Sequence, residues 1–327
     1  MIDLLCIGEL LIDFCSLEID VRIEDASGFA KAPGGAPANV AVAARRLGCS
    51  CGFIGAVGDD PFGTSLTAML GREGVDVSHM VRRSGKSTPL AFAAVHSDGA
   101  NDFFFVHDEQ GLAPLSESDI DASYIRSAGA LHFGSISRIA PAARAATDRA
   151  RGLAADSGLL VSYDPNYRPR LWHLPEEEIR RTIGQGFTGS QIVKVSREEW
   201  AFCVGTDDFA AGARRLLDGG AELVIRSEGG QGASYATASG QGHVEAFHVA
   251  SIEFTGAGDA FVACTISEIL KLRRQGLAIR QIQRIDLERI LTRANAVGAL
   301  TTLKRGAIPA LPTATQVDAF LRQAQQP

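Results

Sequence analysis

The 327-residue chain has little cysteine, no excess of basic charge and no long apolar run. Its six cysteines (Cys6, Cys15, Cys49, Cys51, Cys203 and Cys264) are scattered through apolar surroundings. The pair Cys49-Ser-Cys51 is too closely spaced for two Cys-x-x-Cys zinc-binding units, and no histidine cluster lies near it. A zinc ribbon is thereby excluded, and buried free thiols in a reducing cytosol are expected. The formal net charge of −6 argues against a nucleic-acid partner, because phosphate backbones require clustered Lys and Arg. The arginine pairs Arg45-Arg46, Arg82-Arg83, Arg214-Arg215 and Arg273-Arg274 are dispersed and read as solvated helix faces. No run of about 20 apolar residues exists, so no membrane-spanning helix is expected. The start, Met1-Ile-Asp3, has no basic region and no cleavage signal, and a cytoplasmic location follows as the expectation. Also missing is a Gly-x-Gly-x-x-Gly set after the first strand. That absence rules out a Rossmann oxidoreductase.

Glycine is plentiful instead, with 35 residues, which points to many tight turns or ligand-facing loops. The most informative stretch is Glu253-Phe-Thr-Gly-Ala-Gly-Asp-Ala-Phe261. A strand-like run (Val249, Ile252, Phe254) leads into a turn with Gly256 and Gly258. A helical pattern follows, with Val262, Ile266, Ile269 and Leu270 spaced by three and four. Such a junction aims backbone N–H groups from a helix's positive end at a space that suits an anion. Asp259 in that first turn either caps the helix or handles a proton.

Earlier in the chain, Leu4–Ile7 reads as a buried strand ending at Gly8-Glu9, and Asp13 follows at the expected sheet edge. Pro33-Gly34-Gly35-Ala36-Pro37-Ala38-Asn39 introduces a helix with Pro37 near its start. Asn39 either faces a ligand or is satisfied within the helix. Pro89–His96 and Asp102–His107 read as two strands joined by a turn at Ser97-Asp98-Gly99-Ala100. A hairpin set between β/α units implies a small β subdomain. From Leu115 onward strands and helices alternate. Ser196-Arg-Glu-Glu199 forms a capping box after the strand Gln191–Val195, and Ala233–Thr237 with His243–Val249 reads as a second hairpin. This alternation predicts an α/β fold with a doubly wound, mostly parallel sheet flanked by helices. Asp13, Gly35, Asn166, Arg168, Glu199, Ser227 and Gly256 all fall just after predicted strands, where ligand loops gather in such folds. That shared placement favours an enzyme.

Taken together, these segments resemble the ribokinase-like (pfkB) carbohydrate kinases, and among them most closely the fructokinases. The resemblance runs from Gly8-Glu-Leu-Leu-Ile-Asp13 through Pro33–Asn39, Gly58-Asp-Asp-Pro-Phe-Gly63, His132–Ser137, Ser162-Tyr-Asp-Pro-Asn166, Leu171-Trp172 and Lys194-Val-Ser196 to Thr255–Phe261 and Arg305–Pro312. It implies a ribokinase-like fold with a small β-sheet lid. Residues 1–13, 34–85 and 113–327 would form the core, and 14–33 and 86–112 the lid. It further implies transfer of the γ-phosphoryl of ATP, with Mg²⁺, to a sugar's primary hydroxyl. In this reading Asp259 is the base, and the amides of Gly256, Ala257 and Gly258 stabilise the transferring group. Asp13, Gly34, Gly35, Asn39 and Arg168 meet the sugar. Lys194, Ser227, Gly229, Gly232, Thr255, Gly258 and Asn295 surround the nucleotide, and Glu199 helps organise Mg²⁺. A homodimer through the lid is the partner expectation.

Three departures from the fructokinase pattern bear on function. Glu253-Phe254 replaces Asp-Thr, whose aspartate helps hold a monovalent cation in relatives, so K⁺ activation rests on Glu253. Ser227-Glu228-Gly229 replaces Thr-Leu-Gly, placing a charge in an apolar position beside the adenine. Val106-His107 replaces the lid's Tyr-Arg, which removes a bidentate donor and weighs against acid sugars. Fructose is the expected substrate. The alternatives are 2-keto-3-deoxygluconate kinase or ribokinase within the family, and a catalytically silent kinase-like binding protein outside it.

Overall fold

A computed structural model describes residues 2–96, 101–106 and 114–324. The chain opens with β1 (Ile2–Ile7), β2 (Leu11–Ile19), β3 (Phe29–Gly34), α1 (Ala36–Arg46), β4 (Cys51–Gly58), α2 (Pro61–Arg72) and β5 (Met80–Arg83). Next come β6 (Leu90–Val95), β7 (Asn101–Val106), α3 (Ala122–Arg126), β8 (Ala128–Phe133), α4 (Pro141–Asp156), β9 (Leu160–Tyr163) and α5 (Glu176–Phe187). The remainder is β10 (Ile192–Ser196), α6 (Arg197–Val204), α7 (Phe209–Asp218), β11 (Leu223–Ser227), β12 (Ala233–Thr237), β13 (Gly240–Val244), α8 (Ala257–Arg274), α9 (Arg284–Thr301), α10 (Ala307–Ala310) and α11 (Ala314–Ala324).

Nine strands make the main sheet in the order β13-β12-β11-β10-β9-β8-β1-β4-β5, parallel except for the β12 and β13 edge. Its central strands are mostly apolar because helices cover both faces, with His132, Ser162 and Lys194 the buried polar exceptions in β8, β9 and β10. Leu4 and Cys6 of β1 pack with α1, α8 and α9, whereas Leu5 and Ile7 pack with α3 and α4. A second sheet, β3-β2-β6-β7, is not hydrogen-bonded to the first among the described residues, and its Ile12, Phe14 and Leu90 pack against the main core. All six thiols are unpaired, and all but Cys15 are buried.

Three elements differ from the sequence expectation, the first being the return strand of the second hairpin, which is β13 at Gly240–Val244 and not His243–Val249. Asp13 does not follow a strand of the main sheet. It lies inside β2 of the second sheet, opposite Ala32 and Ala91. The apolar run in β2 continues from that of β1, and only the Gly8-Glu9 break separates the two sheets. Nor do residues 249–254 form a strand. Ile252 and Phe254 are about 60% exposed, and the amides of Ile252 and Glu253 both bond to the carbonyl of Thr302 at the end of α9. Alternation of apolar residues there reflects a segment lying on a helix end, not on a neighbouring strand. The predicted turn at 97–100 and His107 fall outside the described residues.

Candidate active site

Two helix N-termini meet in the cleft beside the second sheet. At the head of α8, Gly256 has the left-handed conformation (φ 83°) that turns the chain into the helix, and Ala307 leaves no room there for a side chain. Asp259 therefore enters on the first turn. At the head of α1, Asn39 is buried and donates from Nδ2 to Asp259 Oδ2 at 2.8 Å. The two tight glycines before it have distinct reasons. A β-carbon on Gly34 would lie 2.0 Å from Asp13 Oδ2, and one on Gly35 would lie 2.4 Å from the carbonyl oxygen of Glu9. Asp13, Gly34, Gly35, Asn39 and Asp259 are thus brought together, although they come from two strands of the second sheet and two helices.

The cleft holds its acids against solvation. Burial raises Asp259 to about 6, opposed by the Asn39 hydrogen bond and by the charges of Lys194 and Arg168. Burial also raises Asp13 to about 7, with Arg168 opposing and Glu253 adding to the rise. Glu9 rises to about 7 for the same reason. Its Oε1 accepts the Ala36 amide at 3.1 Å at the start of α1, while its buried Oε2 has no partner among the described residues. Arg168 is exposed at the rim, and its charge acts on all three acids.

Beneath the α8 turn lies a buried ion pair, Lys194 Nζ to Asp164 Oδ2 at 3.0 Å. A β-carbon on Gly258 would stand 3.1 Å from Lys194 Nζ, which places the ammonium directly under the turn. Burial depresses Lys194, but the carboxylates of Asp164, Glu199 and Asp259 outweigh it and hold the ammonium above its ordinary value. The Ala257 amide is already engaged with the Phe254 carbonyl at 3.2 Å. By helix geometry the N–H groups of Gly258 and Asp259 have no carbonyl one turn back. These two are the better placed donors for an anion.

On the far side of Gly258 is a cavity of about 160 Å³ whose walls include Ser227, Gly229, Gly232, Phe254, Gly258 and Asn295. Asn295 donates to the carbonyls of Val244 and Glu245, which fixes it at the cavity edge. Thr255 and Lys194 do not line the cavity. Glu228 does not intrude either, in contrast to the expectation from its position. Its carboxylate accepts from Arg226 Nε at 2.9 Å and Ser234 Oγ at 2.7 Å, and it pairs with Arg197.

Metal-binding residues are less evident. Glu253 Oε2 accepts the Gly306 amide at 3.0 Å. Both oxygens of Glu199 accept backbone amides, from Ser196 at 2.8 Å and Tyr167 at 2.6 Å. Among the described residues no group of three or more His, Cys, Asp or Glu is arranged to hold a metal ion. Glu199 is thus engaged at both oxygens by amides, and Glu253 at Oε2.

The sequence reading passed over Glu9 and gave Asp164 no role. An acid directly after a buried strand was the available signal for Glu9. For Asp164 it was the pairing of an acid and a lysine at the ends of neighbouring strands β9 and β10.

The family model for the pfkB family carbohydrate kinases matches residues 1–314. The chain belongs to this family. Fructokinase-1 of Zea mays is 40% identical over 318 residues, covering 97% of each chain. Among solved structures, a fructokinase with bound ATP from Xylella fastidiosa superposes with a TM-score of 0.88 at 29% identity, covering 99% of each chain. An E. coli protein provisionally assigned as a Ribokinase II, in complex with ATP and Mg²⁺, gives 0.85 at 27% identity over 99% of this chain and 100% of that one. In this pfkB-family chain the acid-lined cleft and the glycine-walled cavity lie on either side of the α8 turn.

Proposed function

We propose that the protein transfers the γ-phosphoryl group of ATP to the primary hydroxyl of fructose, yielding fructose 6-phosphate. The observation that carries this reading is the position of Asp259. It sits on the first turn of α8, between an acid-lined cleft and a glycine-walled cavity, with one oxygen held by Asn39. The curated fructokinases related along nearly the whole chain give the substrate.

In the proposed mechanism the sugar lies against Asp13, Gly34, Gly35 and Asn39, with Arg168 at the rim. Its hydroxyl donors suit this acceptor-rich wall. The nucleotide occupies the cavity at Ser227, Gly229, Gly232 and Asn295, with its phosphates reaching the α8 turn. Asp259 accepts the proton of the attacking hydroxyl through its remaining oxygen. Its raised pKa of about 6 keeps it ionised at neutral pH and basic enough to act. The Gly258 and Asp259 amides and the Lys194 ammonium beneath them face the charge that develops on the transferring group. Phosphoryl transfer draws on such positioning and electrostatic stabilisation more than on covalent chemistry. Mg²⁺ is the expected companion of ATP and supplies charge neutralisation when bound. Such ions are held mainly by substrate phosphates and water. K⁺ enters only through Glu253, whose carboxylate already holds the Gly306 amide, and the proposal assigns it no ion.

The second sheet, with residues 14–33 and 86–112, is proposed as the lid over the sugar. Its edge strands β3 and β7 and the exposed Phe104 and Val106 suit a homodimer formed through the lid. Six unpaired thiols suit a reducing, cytoplasmic setting. Among the described residues no helix is long and apolar enough to cross a membrane.

The deciding experiment is an ADP-release assay with fructose, tagatose, ribose and 2-keto-3-deoxygluconate. Fructose is expected to give the highest kcat/KM. Turnover of the acid sugar with fructose at background would overturn the assignment in favour of the Arg168 cation as a carboxylate partner. No turnover with any sugar, despite sugar binding, would favour the silent binding protein.

A further inference from the structure

Glu199 makes local contacts that the family expectation does not include. Its side chain is buried, and each carboxylate oxygen already accepts an amide. The Ser196 bond closes the capping box of α6. The Tyr167 bond, at 2.6 Å, crosses to the loop that follows β9. The same helix holds Tyr167 a second time, through its ring. Tyr167 and Phe202 stack with centroids 4.3 Å apart and planes 3° from parallel, and the Arg180 guanidinium lies 4.2 Å from the Phe202 centroid.

The gripped loop matters because Arg168 is the next residue. Upstream the loop is pinned as well. Ser135 donates to the Pro165 carbonyl at 3.0 Å, and Asp164 is fixed by Lys194. Asn166 between them has a left-handed backbone (φ 46°), a conformation that persists only when its surroundings enforce it. Loss of the carboxylate would strand the Tyr167 amide, and an unpartnered buried N–H is costly. We propose that Glu199 is a positioning residue, which clips the 164–168 loop to α6 and so sets Arg168 against the sugar. The clip stands on geometry alone. Its link to sugar binding rests on the kinase reading above.

The test uses the full chain with Glu199→Ala, Glu199→Gln and Phe202→Leu, each checked for folding by thermal unfolding. Hydrogen exchange at the Tyr167 amide is measured without ligand, and fructose binding by calorimetry without ATP or Mg²⁺. In Glu199→Ala, Tyr167 exchange should rise by about tenfold or more and fructose binding should weaken about tenfold, as expected for loss of a charge-assisted hydrogen bond. Glu199→Gln has one oxygen for two amides and should be intermediate. It also carries the test if the alanine variant does not fold. Phe202→Leu alters no carboxylate and should still weaken fructose binding. Unchanged Tyr167 exchange would overturn the clip. Failure of the unaltered protein to bind fructose would instead count against the kinase reading, because the exchange measurement needs no substrate.

Discussion

Asn39 Nδ2 and Asp259 Oδ2 are 2.8 Å apart, and this single hydrogen bond joins the first turns of α1 and α8 across 220 residues of sequence. The bond fixes one carboxylate oxygen of the proposed base and leaves the other for the substrate. Replacing Asp259 by Asn preserves shape but removes the proton acceptor. We expect kcat to fall by roughly 10²–10⁴-fold, the usual worth of a positioned general base, with fructose binding retained in calorimetry. Parent-like turnover would discard Asp259 as the base.

The same bond sets the pH dependence. Asp259 must be ionised to accept a proton, so kcat should fall as pH drops through about 6. Burial pushes its pKa up, and the Asn39 hydrogen bond and the Lys194 and Arg168 charges pull it down, against the charge of Asp164. Asn39→Ala removes a downward influence. The acid limb of the kcat profile should therefore move to higher pH, with a larger loss at pH 6 than at pH 8. A limb that stays in place or moves down would contradict the assignment of that titration to Asp259.

How much of this could be seen in the sequence depended on range. The alternation of strands and helices, the turn at Gly256–Gly258 and the capping box at Ser196–Glu199 are local patterns, and each was legible. What the capping box could not reveal is that the second oxygen of Glu199 reaches Tyr167, 32 residues away. Asp13 was placed on the wrong sheet because the apolar run of β1 continues into β2, and periodicity does not say where a chain changes sheets. Glu228 looked like an intruder beside the nucleotide. Only the folded positions of Arg226, Arg197 and Ser234 show where its charge is satisfied. Pairings between distant segments are set by packing, which a single sequence does not display.

Lys194 and Asp164 form a buried pair whose halves cannot be removed separately without cost. Lys194→Met leaves Asp164 without its cation and should destabilise the fold by about 3–5 kcal/mol. Adding Asp164→Asn removes the stranded charge and should restore part of that loss. Chemical denaturation of the two single variants and the double variant measures the coupling. Strictly additive effects would mean that the 3.0 Å contact contributes nothing.

Asp13 links function to a cost in stability, and the sign can be worked out. Its carboxyl is raised from an ordinary value of 3.8 to about 7, chiefly by burial. Between those limits the folded protein holds a proton that the unfolded chain has released. Stability must therefore decline as pH rises through this window, and above about 7 the fold carries an ionised acid in a poorly solvated cleft. Asp13→Asn cannot ionise. We expect it to melt several degrees above the parent at pH 8, with the difference shrinking toward pH 4 as Asp13 becomes neutral in the parent. Fructose binding should weaken in the same variant, since an acceptor for a sugar hydroxyl becomes an amide. A parent that is more stable than Asp13→Asn at pH 8 would show that the ionised acid is paid for by partners in the fold, and the strained-cleft account would fail.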